Sequence, residues 1–333
     1  MTEPSIKLGM AWGSGGARGW AHVGVLRAFE ELGIAVDIEA GCSAGALVSA
    51  ARHLGIWEEF LAWGREIGPI GALSQFAIRL GAGGFINPAR AIETFRYADK
   101  NIEDLTRPWG AVATDLATGK ELWLTQGSVL DAARASASIP MVLQAAPVMV
   151  EGVERWLIDG ATSNPVPVSL AQALGADRVI AVDLNASAAT LTRFDRPDTR
   201  EITVVEPKSQ PPNEGPLPDA VVKLLRETRD YVGREIAMAK AKSQAKPHLF
   251  ETAAATLDIV QIHLAQARAK TDIADVRITP DLADLSPAAF HQHAEIEQRG
   301  YLAAMAVRDQ LLALREERDA ARSTSADQQG ATT

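Results

Sequence analysis

Residues 34–53 read IAVDIEAGCSAGALVSAARH, and the order of residue types in this stretch decides the fold class. Ile34 to Ala40 has the apolar character of a strand, and Ala44 to His53 is a run of small helix formers. Between them, Gly41-Cys42-Ser43-Ala44-Gly45 fits G-x-S-x-G. A serine placed between strand and helix occupies a sharp turn that exposes its hydroxyl, and flanking glycines remove the β-carbons that would clash there. The amides that open the following helix favour negative charge developing on that oxygen. On the pentapeptide alone, a glycine-bordered turn with an incidental serine is an equal reading.

Upstream the same strand–turn–helix pattern occurs once more. Ile6 to Trp12 reads as a strand, Gly13-Ser14-Gly15-Gly16-Ala17-Arg18-Gly19 as a turn, and Trp20 to Leu32 as a helix with Val23, Leu26 and Phe29 at helical spacing, stopped by Gly33. In a parallel sheet both turns emerge on one edge, where such folds place their sites. One turn can then supply a nucleophile and the other backbone N–H donors. A dinucleotide-binding fingerprint competes for this loop, with Glu39 about 20 residues on as the ribose contact. Its glycine spacing fails, because counting from Gly13 the third required position is Arg18.

Downstream, strands are expected at Trp109 to Asp115, Glu121 to Thr125, Val148 to Val150, Arg155 to Ile158 and Arg178 to Asp183, with a helix over Pro165 to Leu174. Asp159-Gly160-Ala161 follows the apolar run Trp156-Leu157-Ile158, which puts a carboxylate at a strand end. By itself Asp-Gly is a turn signal. Residues 1–185 are read as a core, 186–220 as a proline-rich loop or linker and 221–315 as a helical C-terminal part packed on the core. Within that part a short strand is expected near 276–279 and a helix from Pro287 capped by Ser286, and 316–333 is read as a frayed tail.

These features in this order resemble the patatin-like phospholipase family, in particular its bacterial RssA-type branch. The likeness extends from Lys7 to Leu184 through Ala113-Thr114-Asp115-Leu116, Arg134-Ala135-Ser136-Ala137-Ser138-Ile139-Pro140, Asn164-Pro165-Val166-Pro167 and Leu174-Gly175-Ala176-Asp177, and it resumes more weakly from Asp275 to Tyr301. Met141-Val142-Leu143 departs from it, since many relatives carry glycine directly after the proline. The resemblance implies a three-layer α/β/α patatin-like (FabD/lysophospholipase-like) fold with a mostly parallel central sheet and additional C-terminal helices. It implies Ser43 as nucleophile and Asp159 as its partner in a Ser-Asp dyad without histidine. It also implies an oxyanion hole from the amides of Gly15, Gly16 and Ala17; Gly41 and Gly45 are read as the elbow glycines, and Arg18, which stays protonated, as loop support. The implied substrate is a lipid or other acyl ester; no cofactor is expected, and no metal, since no close His, Cys and carboxylate cluster with ligand spacing appears.

Bulk properties narrow the classes. A net charge of −9 argues against a nucleic-acid partner, which needs a basic face. The single cysteine, Cys42, forms no internal disulfide, and no cationic leader with an apolar core precedes Lys7, so a cytoplasmic location is expected. Membrane contact is expected to be peripheral at most, through the basic stretch Asp219 to Lys246 or the apolar run Trp57 to Phe76, which also reads as a lid or as core packing. The C-terminal helices could also make a homo-oligomer contact. Two rival functions remain open at this level: an α/β-hydrolase triad drawing on His248, His263, His291 or His293, and an acyl-binding module with vestigial activity.

Overall fold

The computed structural model describes residues 6–66, 93–140, 143–185 and 249–330. The chain divides into two compact units, one formed by 1–191 with 259–333 and the other by 192–258. The basic stretch Asp219 to Lys246, the residues from Ile67 to Phe76, Met141-Val142 and the whole of the expected linker lie outside the described residues.

The larger unit is built on an eight-stranded sheet. Its strands are β1 (Leu8–Trp12), β2 (Ile38–Cys42), β3 (Trp109–Asp115), β4 (Glu121–Leu124), β5 (Ala146–Val150), β6 (Val153–Asp159), β7 (Arg178–Val182) and β8 (Val276–Ile278). Strands β8, β7, β1, β2 and β3 are mutually parallel neighbours in that order. β1, β2 and β3 are buried along their whole length, as expected of strands covered on both faces. The remaining pairings, β3 with β4 and β6, and β5 with β6, are antiparallel.

Alternation along β1 separates two cores. Leu8, Met10 and Trp12 pack under α1 (Trp20–Leu32), α3 (Trp57–Glu66) and α7 (His293–Ala306), while Ala11 faces α5 (Val168–Ala173) and the end of α6 (Leu249–Arg268) on the other side. α2 (Ala44–Leu54) and α4 (Val129–Ser136) cover the β3 end of the first face through Ala46, Ala50, Leu130 and Ala133. The result is a central sheet between helical layers with added C-terminal helices, as expected. Trp57, Phe60 and Trp63 of α3 pack on one another and on these cores. Among the described residues no helix is long and apolar enough to cross a membrane.

The C-terminal region departs from expectation in two places. Ser286 and Pro287 do not open the helix: the Ser286 hydroxyl accepts from the Ala288 amide in a tight turn, and α7 begins at His293. The expected frayed tail is instead α8 (Arg308–Gly330). Its arginines reach the connection between α1 and β2, where Arg315 donates to the Leu32 carbonyl at 2.7 Å, Arg318 to the Ala35 carbonyl and Arg322 to Asp37. Glu317 pairs with Arg178 at 2.7 Å. A polar sequence without apolar periodicity gives no hint of such anchoring, because the partners are main-chain oxygens and distant charges.

α1 and α7 cross at backbone contact. A β-carbon on Gly24 would sit 1.8 Å from the Glu297 carbonyl oxygen, and one on Gly300 would sit 2.0 Å from that of Ala21. Arg27 brackets the crossing, pairing with Glu297 at 2.8 Å and lying 4.6 Å from the centre of the Tyr301 ring. Gly24→Ala or Gly300→Ala must push the helices apart. Each is expected to cost about 1–3 kcal/mol or more despite the better helix propensity of alanine. A rise in Tm on either substitution in thermal denaturation would contradict this crossing.

Candidate active site

β2 ends at Cys42 and α2 begins at Ala44, so Ser43 makes the whole turn between them. Its backbone stands at φ 53°, ψ −119°, a conformation that non-glycine residues rarely adopt and that the surroundings must hold. The Ser43 amide donates to the Ser136 hydroxyl at 2.8 Å, and the Ser43 carbonyl receives the Leu47 amide at 3.1 Å. Gly45 is required by close approach, since a β-carbon there would lie 2.3 Å from the Trp12 carbonyl oxygen. Gly41 faces the first turn of the same helix, where a β-carbon would lie 2.5 Å from the Ala46 Cα.

Asp159 is the last residue of β6. The Ser43 hydroxyl donates to its Oδ2 at 2.6 Å, and the Ala161 amide donates to its Oδ1 at 2.8 Å. The main chain of Asp159 is also held: its amide donates to the Ser138 carbonyl at 2.9 Å, and its carbonyl accepts from the hydroxyls of Thr114 at 3.1 Å and Thr162 at 2.8 Å. Both dyad members are buried, with 3% and 1% of their surface exposed. Burial pushes the Asp159 carboxyl from an ordinary 3.8 up to about 6, against the opposing pull of the Ser43 and Ala161 hydrogen bonds.

The glycine-rich loop lies across the C-terminal end of β1 and is tied down at most of its amides. Those of Gly13, Ser14 and Arg18 donate to the carbonyls of Val182, Pro165 and Gly15. The Ala17 amide donates to the Pro287 carbonyl at 2.7 Å, so it is committed to a structural bond and drops out of the expected oxyanion set. The amides of Gly15 and Gly16 have no partner among the described residues. Arg18 is 1% exposed, donating through Nε to the Leu285 carbonyl at 3.0 Å and through a terminal nitrogen to Asn185 Oδ1 at 3.2 Å. Asn185 in turn donates to the Ser14 carbonyl at 3.1 Å. Beneath the loop, His22 Nε2 donates to the Gly13 carbonyl at 2.8 Å, and burial lowers the imidazole pKa to about 4, leaving it neutral.

Two of the rival readings, the histidine triad and the dinucleotide site, find no support in this arrangement. Among the described histidines, His22 is bound to Gly13, His53 lies 3.3 Å from Glu39, His263 and His291 are exposed, and His293 packs on Trp20. None reaches Asp159, whose oxygens are taken by Ser43 and Ala161. The dinucleotide reading fails at Glu39, which is fully buried and receives Trp12 Nε1 at 2.7 Å with Arg52 and Arg107 each at 3.3 Å. It has no free edge for a ribose. Sequence reasoning missed Ser136, Ser138, Thr114, Thr162 and the Leu285–Pro287 segment. The first three fall inside phrases that carry the family likeness, and that is the signal that could have found them.

Residues 10–171 match the sequence family described as patatin-like phospholipase. The chain carries a patatin-like phospholipase domain. Uncharacterized NTE family proteins of Mycobacterium bovis and Mycobacterium tuberculosis are 37% identical to it over 196 residues, covering 58% of this chain and 53% of theirs. Patatin-like phospholipase domain-containing protein 6 of Mus musculus is 31% identical over 195 residues, 55% of this chain and 14% of that protein. The chain thus spans about half the length of the mycobacterial relatives it matches. Among solved structures, VipD from Legionella pneumophila aligns with a TM-score of 0.41 and 14% identity, over 92% of this chain and 67% of that one. Ser43 and Asp159 both lie inside the patatin-like domain, whereas Asn185, Leu285 and Pro287, which brace its glycine-rich loop, lie outside it.

A buried carboxyl with a raised pKa links stability to pH. The contribution of Asp159 is fully present below 3.8 and is lost as pH rises through about 6, because the folded state then carries a buried charge with no cation beside it among the described residues. The loss is roughly 3 kcal/mol at full ionisation, at 1.36 kcal/mol per unit. Asp159→Asn keeps an acceptor for Ala161 and a partner for Ser43 without the charge. Its Tm is therefore expected to exceed that of the wild type at pH 8, with the gap closing near pH 4. Equal Tm values at both pH values in a scanning-calorimetry series would show that Asp159 is not held in this state.

Proposed function

We propose that this protein is a lipid acyl ester hydrolase in which Ser43 is the nucleophile and Asp159 the general base. The 2.6 Å hydrogen bond from the Ser43 hydroxyl to Asp159 Oδ2 carries this reading. As Ser43 Oγ attacks the ester carbonyl carbon, its proton passes to Asp159, and the carbonyl oxygen becomes an oxyanion. The unpartnered amides of Gly15 and Gly16 are the donors assigned to that oxygen. Collapse expels the alcohol, which takes the proton from Asp159 and leaves an acyl-enzyme on Ser43. Water then attacks the acyl carbon while Asp159 accepts its proton and returns it to Ser43 Oγ.

A free aspartate is too weak a base for this work at neutral pH, and the environment corrects that. Burial raises the carboxyl to about 6, close to the value at which a general base combines basicity with ionisation. Among the described residues no cation stands against it to undo the effect, whereas Glu39 on β2 has Arg52 and Arg107 each at 3.3 Å. The substrate class, a phospholipid or lysophospholipid ester, rests on the patatin-like domain.

The acid limb of kcat/KM is expected near pH 6, because Asp159 must be ionised to accept the serine proton. Ser43→Ala and Asp159→Ala are each expected to lower hydrolysis of acyl esters by at least about 10³-fold in a folded protein. A panel of phospholipids, lysophospholipids and short acyl esters, with Ser43→Ala as blank, tests both. Turnover persisting in either variant, or an acid limb near pH 4, would remove Asp159 from the base role.

A further inference from the structure

One of the contacts that hold Ser43 in its strained turn comes from a second helix, α4. Its amide donates to the Ser136 hydroxyl at 2.8 Å across 93 residues of sequence. Ser136 is the last residue of α4 and is fully buried. Two residues on, the Ser138 carbonyl receives the Asp159 amide at 2.9 Å. Ser138 is anchored in turn, its hydroxyl donating to the Arg134 carbonyl at 2.9 Å and its amide to that of Ala135 at 3.2 Å. The segment Ser136-Ala137-Ser138 therefore grips the main chain of both members of the 2.6 Å pair at once.

The geometry points to Ser136 as the positioning residue of the nucleophile: its hydroxyl fixes the Ser43 amide, hence φ at Ser43 and the aim of Oγ between Asp159 and the scissile carbonyl. This rests on the reading of Ser43 as nucleophile. The physical reason is that φ 53° is not a conformation a serine keeps unaided, and rotation about N–Cα swings Oγ away from the carboxylate. Removing the hydroxyl leaves a buried N–H without a partner, and the turn relaxes toward whatever satisfies it. A displacement on the order of 1 Å at the attacking atom can cost about 10²-fold in rate. Contacts to the acyl chain and head group do not pass through this bond, so the loss falls on kcat.

The test compares Ser136→Ala, Ser136→Cys and Ser136→Thr with Ser49→Ala. Ser49 is equally buried in α2 and accepts from Trp109 Nε1 at 2.9 Å, so its loss orphans one buried N–H in the same way, at a group that does not hold Ser43 in place. For each protein, Tm, kcat and KM on an acyl ester, and the second-order rate of labelling by a fluorophosphonate probe are measured. Ser136→Ala and the weakly accepting Ser136→Cys are expected to label and turn over about 10- to 100-fold more slowly at unchanged KM. Ser136→Thr keeps a hydroxyl acceptor and is expected to recover most of the rate. Ser49→Ala is expected to lower Tm comparably while labelling at the wild-type rate. Wild-type labelling in Ser136→Ala or Ser136→Cys, or slowing in Ser49→Ala in step with its Tm, would overturn the assignment. A wild-type protein that does not label at Ser43 would instead sink the nucleophile reading itself.

Discussion

Everything in the site depends on one edge of β3. Ala111 and Val112 pair with both β2 and β4, so those two strands lie on opposite edges of β3. Ala113 and Thr114 pair with both β4 and β6, so β6 shares the edge that β2 occupies. Running in opposite directions, the two strands meet end to end: Cys42 stands opposite Val112 and Asp159 opposite Ala113. The residue after Cys42 is Ser43, and the serine–carboxylate pair follows from adjacent positions on a single strand. A one-residue slip of β6 would turn Asp159 to the other face of the sheet and dissolve the pair. The packing of Ala111, Ala113 and Leu157 under α2 and α4 is what pays for that register.

Two carboxylates buried in the same sheet meet opposite fates, and their neighbours decide which. Burial pushes Glu39 upward, yet His53, Arg52 and the Trp12 indole together bring it below the usual carboxylate range. It stays ionised as a structural anchor within β2. Among the described residues the Asp159 carboxylate has a hydroxyl and a main-chain amide for partners, so burial prevails and its basicity rises. Environments that push two similar groups apart in this way commonly separate a supporting residue from a chemical one.

The glycine-rich loop shows how the domain recruits residues beyond its own limits. Leu285 and Pro287 follow β8, far from the loop in sequence, yet their carbonyls receive Arg18 and the Ala17 amide. Asn185, just after β7, links Arg18 to Ser14. With those bonds satisfied, Gly15 and Gly16 are left as the loop's unpartnered amides among the described residues. The anchors that remove Ala17 from the donor set are also the ones that shape the donors that remain.

Local chemistry was legible in the residues. The glycines flanking Ser43, the strand before Asp159 and the strand–turn–helix rhythm of the first 54 residues read correctly, because a sharp turn and a buried parallel strand each restrict residue type over a few positions; the strand before Ser43 exists but runs Ile38–Cys42, not Ile34 to Ala40. Tertiary structure alone decided the rest. Ser136 beneath the Ser43 amide, Pro287 on the Ala17 amide and the arginine anchors of α8 join segments far apart in sequence through main-chain atoms. A main-chain amide or carbonyl is present at almost every residue, so its choice of partner leaves no trace in residue type, and only strand register and helix packing determine it.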